Sequence, residues 1–464
     1  MIMPLKPVWQ QPETEGDLMK YVKEPERQIK VVSDVDLCVV GGSCTGVFAA
    51  VRAARLGVRV AIVEKQSCFG GTATAGLVNV WHSLHNMGGN RQIIGGLTSE
   101  TIDRLDQDGG ILRNKSVNTA YQLDTELLKI ELDRLIVENK IQPFLHTMYC
   151  APFQKGNELR GVVIENKDGR QVILARFFID ASGDGDLAYD LNLDHYHHDN
   201  RQPPTPGFKL YGDVSHVHVS SLLQEYGKVF GLPEDWGWGG PIPAMPELSF
   251  RADTHVFGID CAQADDLTHA EIEGRRQMLA VVKLLNQHAG QPGSPYRIAA
   301  MCSSMGIRET RHFTSDYCLN KNDLLYGVSF PDAIACGTYR VDIHHAEDAG
   351  ITFRYLDGRE EVFKDRTSPP VRQMWRTDNR CTDYYQIPFK TLVQRKVSNL
   401  IMAGRMIHAD ADAFGAVRVM VNLNQIGEAA GVAAAIAVDT DKAVWDLDTL
   451  QIRRILQQGG SLLP

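Results

Sequence analysis

Gly41-Gly42-Ser43-Cys44-Thr45-Gly46, with Glu64 about twenty residues on, has the residue types and spacing to hold a dinucleotide. Gly41 permits a tight turn, and Gly46 lets a helix approach a strand closely. The N-terminus of that helix offers free N–H groups and a favourable dipole to a pyrophosphate. Glu64 can accept hydrogen bonds from a ribose hydroxyl. Ser43 stands where the pattern has its middle glycine; it is small, and its hydroxyl can itself donate. Cys44 sits where a helix dipole lowers a thiol pKa, but a bound phosphate would take that field, so a structural cysteine is expected. A second set of residues suits proton transfer and anion binding. His82 and His85 lie three apart, and His344 and His345 follow Asp342. Imidazole fits general-base work because its unperturbed pKa is near neutral. Arg308 and Arg311 flank Glu309 and lead into His312; two guanidinium groups can clamp a carboxylate there, or Glu309 can neutralise them. Asp194-His-Tyr-His-His198 is rich in ligand types, yet a loop after a small helix accounts for it and no metal is expected. Trp236 and Trp238 suit a sugar face or a loop anchor equally.

Regular elements must position these groups. Leu37 to Val40 is a short apolar run ending at Gly41-Gly42, as a buried parallel strand does. Thr45 to Leu56 is Ala-rich, carries Arg52 and Arg55, and stops at Gly57, which predicts a helix. Val58 to Val63 is the second strand, completing a βαβ unit. Downstream, Asp124 to Asn139 reads as a helix, Gly161–Ile164 and Gln171–Ala175 as a hairpin, and Phe177–Ile179 as another buried strand. Residues 201–380 change texture, with Pro-rich loops and short mixed strands. The βα pattern returns with a strand over Asn399–Ala403 and a small-residue helix from about Asn422 to Val438. The expected organisation is a polar N-terminal arm (1–30), a discontinuous nucleotide-binding domain (31–200 and 381–464) and an inserted substrate or cap domain (201–380).

Composition bounds the function classes. The 464 residues carry 48 Lys+Arg against 57 Asp+Glu, a net charge of −9, so the general positive field that draws nucleic acid is missing. The longest apolar run, Ala429 to Val438, is too short to predict a membrane span. The first residues show no charged region leading into an apolar one, so no signal peptide is expected. Nine scattered cysteines, none in a CxxC pair, exclude zinc-ribbon and ferredoxin-type runs and read as reduced thiols in a cytoplasmic protein.

Which dinucleotide binds is indicated further along. Gly70-Gly-Thr-Ala-Thr-Ala-Gly76 is a glycine-rich loop where an NAD domain would enter its next helix. Ala181-Ser-Gly183, Asn399-Leu-Ile-Met-Ala-Gly-Arg405, Gly306-Ile-Arg-Glu-Thr-Arg311, Tyr385-Gln-Ile-Pro-Phe389 and Arg418-Val-Met420 follow. Together these residues resemble the FAD-dependent oxidoreductase family of glutathione-reductase-like architecture, from about Asp34 to Val438. More narrowly they are similar to the branch of heterodisulfide-reductase-like flavoproteins. The resemblance implies an α/β fold: a Rossmann-like FAD domain, with a parallel sheet, helices and a β-meander, interrupted by an inserted α+β domain. It implies FAD as cofactor, held by Gly41, Ser43, Cys44, Thr45, Gly46, Glu64 and Lys65 at the adenosine diphosphate half. Gly70, Gly71, Thr72, Ala73 and Thr74 would lie along the flavin, Ala181, Ser182 and Gly183 beside the pyrophosphate, and Gly404 and Arg405 near the ribityl chain, with Asp410 or Asp412 close to that end. Oxidation of a small hydroxyl- or amine-bearing substrate, sugar-like compounds included, would pass a hydride to the flavin, with His82 or His344 as base and Arg308 and Arg311 as anion clamp. Two departures matter. The flavin loop has no Cys pair and the cluster-binding cysteines of the branch are missing, so thiol relay chemistry is not expected. There is no second nucleotide fingerprint, which leaves oxygen, a quinone, a protein or NAD(P) as electron acceptor. A flavin-dependent non-redox enzyme and an NAD-binding dehydrogenase are the alternative readings, and a homo-oligomer is compatible with either.

Overall fold

The computed structural model describes residues 21–464, apart from 114–119, 157, 236, 291–292, 348, 365–367 and 379. Residues 1–20 of the expected arm and Trp236 lie outside this set. The main sheet has seven strands. In chain order they are β1 (Lys30–Val40), β2 (Val60–Val63), β3 (Gln142–Phe144), β4 (Met148–Lys155), β5 (Glu158–Asn166), β6 (Gly169–Asp180) and β7 (Leu400–Met402). Five run parallel in the order β3-β2-β1-β6-β7, while β5 and β4 attach antiparallel to the first half of β6 as the β-meander. The hairpin arm and the run Phe177–Ile179, expected as two strands, are one twelve-residue strand, β6. Its first half pairs with β5 and its second half with β7, a change of neighbour that leaves no mark in the sequence.

Burial follows the pleat. Leu37 and Val39 face the core around the first helix, α1 (Cys44–Arg55), and Cys38 and Val40 face the core on the meander side. All four are fully buried or nearly so, which is why β1 reads as a continuous apolar run. Each aliphatic side chain removed from water there contributes ~1.5–3 kcal/mol.

The last long helix, α2 (Met420–Thr440), is mostly apolar and buried on all sides from Val421 to Ala437, with Asn422, Asn424, Gln425 and Glu428 as its buried polar residues. It crosses α1 so closely that a Cβ on Gly427 would lie 2.2 Å from the Thr45 carbonyl oxygen, and one on Gly431 2.2 Å from that of Ala49. A buried ion pair, Arg52 with Glu428, joins the two helices; Glu428 also accepts from Leu97 N, and Arg52 donates to Gly459 O. Losing one partner would strand a charge in the core.

Residues 201–380 form two antiparallel four-stranded sheets. One comprises Trp238–Ile242, Met245–Ala252, Phe208–Tyr211 and Arg297–Met301, backed by the helix Ala264–His288; the other runs from Val341–His344 to Val371–Met374. Apolar residues of 319–356, such as Leu319, Ile334 and Val341, share one core with α1 and α2. The His-rich stretch expected as a loop contains a short strand, His195–Tyr196, paired with His312–Phe313. That partner lies more than a hundred residues away, beyond the reach of any local pattern.

Candidate active site

Val40 pairs with Val63 and with Asp180, and Asp180 with Met402, so the carboxyl ends of β1, β2, β6 and β7 finish side by side. Each strand delivers one candidate segment: Gly41–Gly46, Glu64-Lys65, Ala181–Gly183 and Gly404-Arg405. Ligands of open parallel sheets sit at such strand ends. Here a single continuous cleft of about 480 Å³ runs along them and on to the second four-stranded sheet.

The glycine turn is fixed by contact. Gly41 has φ +102°, and a Cβ there would sit 2.3 Å from Ala181 O; one on Gly46 would sit 1.9 Å from Gly41 O. Ser43 caps α1, its Oγ accepting from Gly46 N at 3.4 Å and donating to Ala181 O at 3.4 Å. Glu64 is buried, with its two carboxylate oxygens taking Gly42 N and Gln66 N at 2.8 Å each, which clamps the turn to the end of β2. Gly70 N donates to Gly42 O at 2.7 Å, laying the second glycine loop against the first. Cys44 Sγ lies 3.6 Å from Gly70 O, and burial pushes this thiol up to about 12, as a structural cysteine requires.

Of the residues expected at the cofactor, Gly41, Ser43, Cys44, Thr45, Glu64, Lys65, Gly70, Gly71, Thr72, Ala181, Ser182, Gly183, Gly404 and Arg405 line the cleft. Gly46, Ala73 and Thr74 stand behind the wall, Thr74 Oγ1 being turned to Phe69 O. Neither Asp410 nor Asp412 reaches it: Asp410 caps the helix Ala411–Val417, and Asp412 pairs with Arg354. The nearby acid on the wall is instead Asp184, paired with Arg405 and accepting from Thr310 Oγ1 at 2.7 Å. Burial works against ionisation of Asp184, but Arg405, Thr310 and Lys65 outweigh it and hold the carboxyl below its usual range.

The other end of the cleft gathers His82, Arg308, Tyr339, Arg340, Asp342, His344 and Arg418. His82 stacks on Tyr339 with centroids 4.1 Å apart; burial and Arg340 lower its pKa to about 3. His344 is buried, with Nε2 3.3 Å from Asp342 Oδ1 and Nδ1 without a hydrogen-bond partner. Burial, then Arg308, His255 and Arg418, keeps this imidazole neutral. Tyr339 donates its hydroxyl to Asp342 Oδ2.

Arg311 and His85 are not on the cleft wall. Arg311 lies over the Tyr189 ring at 4.1 Å and pairs with Asp186 at 3.4 Å, so it does not join Arg308 in a clamp. Arg308 turns instead to Pro203 O and Thr205 Oγ1, which separates the two arginines. Glu309 pairs with neither arginine. It accepts from His198 Nδ1 at 2.6 Å, His312 Nε2 at 3.1 Å and Gln202 N at 3.0 Å. His198, Glu309 and His312 are also the group, among the described residues, whose ligand-type atoms lie within 4.8 Å of one another. Tyr339, Arg340 and Asn424 carry no sequence motif that marks them for the site. The buried polar stretch Asn422–Gln425, at the start of an otherwise mostly apolar α2, was the readable signal.

A family model described as FAD dependent oxidoreductase matches residues 36–456. The chain belongs to the FAD-dependent oxidoreductase family. It is an enzyme of that class with FAD as its cofactor, and no described helix is long and apolar enough to cross a membrane. No curated protein matches it. Among solved structures, it is similar to a geranylgeranyl bacteriochlorophyll reductase-like protein from Thermoplasma acidophilum at 11% identity, covering 92% of this chain and 83% of that one, TM-score 0.46. It is similar to p-nitrophenol 4-monooxygenase PnpA from Pseudomonas putida at 12% identity, covering 91% and 84%, TM-score 0.43. The flavin-dependent brominase Bmp2 matches at 11% identity, covering 91% and 83%, TM-score 0.45.

Proposed function

We propose that this flavoenzyme oxidises a small polar substrate bearing a hydroxyl or an amine, sugar-like compounds included, with FAD along the strand ends and the substrate beside His344. The observation that carries this reading is His344 Nδ1, a buried nitrogen that no described residue satisfies, in a ring that belongs to the cleft wall and is flanked by the Asp342 carboxylate. Buried polar atoms are rarely left unpaired, and one in a ring that lines a cleft is placed to meet a bound molecule or water.

The chain's own atoms support FAD in the first part of the cleft. Gly41 and Gly46 leave a cradle that a Cβ would fill, and Asn424, fully buried at the wall, has both Oδ1 and Nδ2 unbonded. Gly41, Ser43, Thr45, Glu64 and Lys65 would hold the adenosine diphosphate half, and Gly70–Thr72, Arg405 and Asn424 the remainder. Bound FAD supplies a two-electron acceptor. His344 takes the substrate's proton at Nδ1, and Asp342 beside Nε2 stabilises the imidazolium that results. Tyr339, through its hydrogen bond to Oδ2, holds the carboxylate in position. The substrate would lie between the nucleotide-binding segments (31–200, 381–464) and residues 201–380, where water is displaced on binding.

The test is His344→Asn. With a substrate found by screening hydroxy and amino compounds for anaerobic bleaching of the flavin, the variant should retain FAD and bleach about 10²-fold more slowly or worse. Bleaching at the parental rate would place the base elsewhere.

A further inference from the structure

Three arginines line the His344 end of the cleft, and among the described residues one carboxylate of the wall, Asp342, stands against them. Arg340 makes no hydrogen bond or ion pair with any described residue; its guanidinium lies 4.1 Å over the Phe353 ring, and its Nε is buried and unpartnered. Arg308 uses only Nη1, towards Pro203 O at 2.8 Å and Thr205 Oγ1. Arg418 donates from Nη2 to the Asp342 carbonyl at 3.2 Å, and its Nε is also unpartnered. Each guanidinium is thus anchored on one side, by a ring face or a backbone carbonyl, and keeps free donors for the cavity.

The neighbouring carboxylates are already engaged. Asp235 holds His255 Nδ1 at 2.6 Å. Glu361 accepts from Tyr355 at 2.9 Å and Arg372 at 3.0 Å. Asp342, the one acid among the described residues on this part of the wall, is 3.8 Å from Arg418 and takes the Tyr339 hydroxyl. Three cations therefore face one anion. The dinucleotide end differs: Lys65 and Arg405 there face Glu64 and Asp184, and the α1 N-terminus is available for the pyrophosphate.

Building on the function proposed above, we infer that the substrate carries an oxoanion, a carboxylate or a phosphate monoester, and that Arg308, Arg340 and Arg418 bind it. Preorganised guanidinium groups of this kind suit oxoanions through charge-assisted, often bidentate hydrogen bonds. The pocket also connects recognition to reactivity. Arg308 and Arg418 are among the groups that keep His344 from holding a proton, so an anion that neutralises them makes His344 a stronger base once substrate is in place. An uncharged analogue would bind weakly and also find a poorer base.

The experiment titrates the FAD-loaded enzyme with acetate, malonate and inorganic phosphate against chloride at constant ionic strength, following the visible flavin spectrum and the thermal midpoint. At least one oxoanion should saturate both signals. Arg340→Met should weaken that binding by about tenfold or more, because it removes a charge-assisted contact. This variant breaks no hydrogen bond among the described residues, and the surface variant Arg395→Met should bind as the parent does. General salt stabilisation would persist in Arg340→Met, so only the part it removes counts. Whether the carboxylates or phosphate saturate at lower concentration identifies the anion. If neither saturates, or if Arg340→Met binds as tightly as the parent, the inference is wrong. Protein that fails to take up FAD would overturn the flavin site alone, since the thermal signal still reads the anion pocket in FAD-free enzyme.

Discussion

Acidification should destabilise this enzyme through His82, by an amount that its surroundings set. Burial and Arg340 push the imidazole to about 3, against 6.5 for an unperturbed ring. The charged and titratable groups facing it are Tyr339, stacked on the ring, with Arg340, Asp342 and Arg418; Asp342 favours protonation and the two arginines oppose it. Between the two pKa values the unfolded chain binds a proton that the native ring refuses. Stability is therefore complete above pH 6.5 and is lost as the pH falls towards 3. At ~1.36 kcal/mol per pH unit, the loss by pH 5 is about 2 kcal/mol, reduced to ~1–2 kcal/mol because the ring edges the cleft and water reaches it. Urea unfolding at pH 7 and pH 5, with FAD in excess, measures this when the parent is compared with His82→Gln. Other titrating groups are common to both proteins and cancel. The parent should lose ~1–2 kcal/mol more than the variant over that interval. Parallel pH profiles would refute the reasoning, because they mean that the ring accepts a proton in the native state as easily as in the unfolded chain.

Glu64→Gln keeps one acceptor and turns an amide towards the other backbone N–H, so FAD affinity measured on the apoprotein should fall by ~1–3 kcal/mol; unchanged affinity would show that the clamp does not matter. Gly46→Ala should yield no FAD-loaded protein, since its Cβ would overlap the Gly41 carbonyl, and a soluble yellow variant would contradict that. A maleimide should label exposed Cys318 and Cys381 and leave turnover intact, with buried Cys44 untouched; inactivation that maps to Cys44 would reverse its assignment as structural.

The βαβ unit was legible because its information is local. A buried apolar strand, a glycine turn, an Ala-rich helix and an acid at the end of the next strand all lie within about 30 residues. The same holds for the helix after Asp124, whose carboxylate caps Glu126 N and Leu127 N as an Asp at that place should. Arg308, His82 and His344 all line the cleft, whereas Arg311 and His85 do not. Arg311 was grouped with Arg308 on sequence proximity, whereas the arginines that share the cleft wall with Arg308 are Arg340 and Arg418, brought there by the second four-stranded sheet and the approach to α2. Tyr339 and Arg340 have no periodicity or motif to single them out. Their role depends on the pairing of Val341–His344 with Ile351–Arg354 and on the helix packed behind it, which are contacts across the chain rather than along it.

The close crossing of α1 and α2 has a consequence for how the chain is made. Gly46, Ala49 and Ala53 emerge from the ribosome early, yet the glycine-bearing face that covers α1, and the β7 strand beside β6, are translated hundreds of residues later. A nascent chain must keep that small-residue face and the edge of β6 out of wrong partnerships throughout the synthesis of residues 201–380. The cofactor cradle closes only when α2 arrives. FAD capture then waits on the synthesis of α2, and chains stalled before Met420 should be left with an open cradle, whatever the flavin supply of the cell.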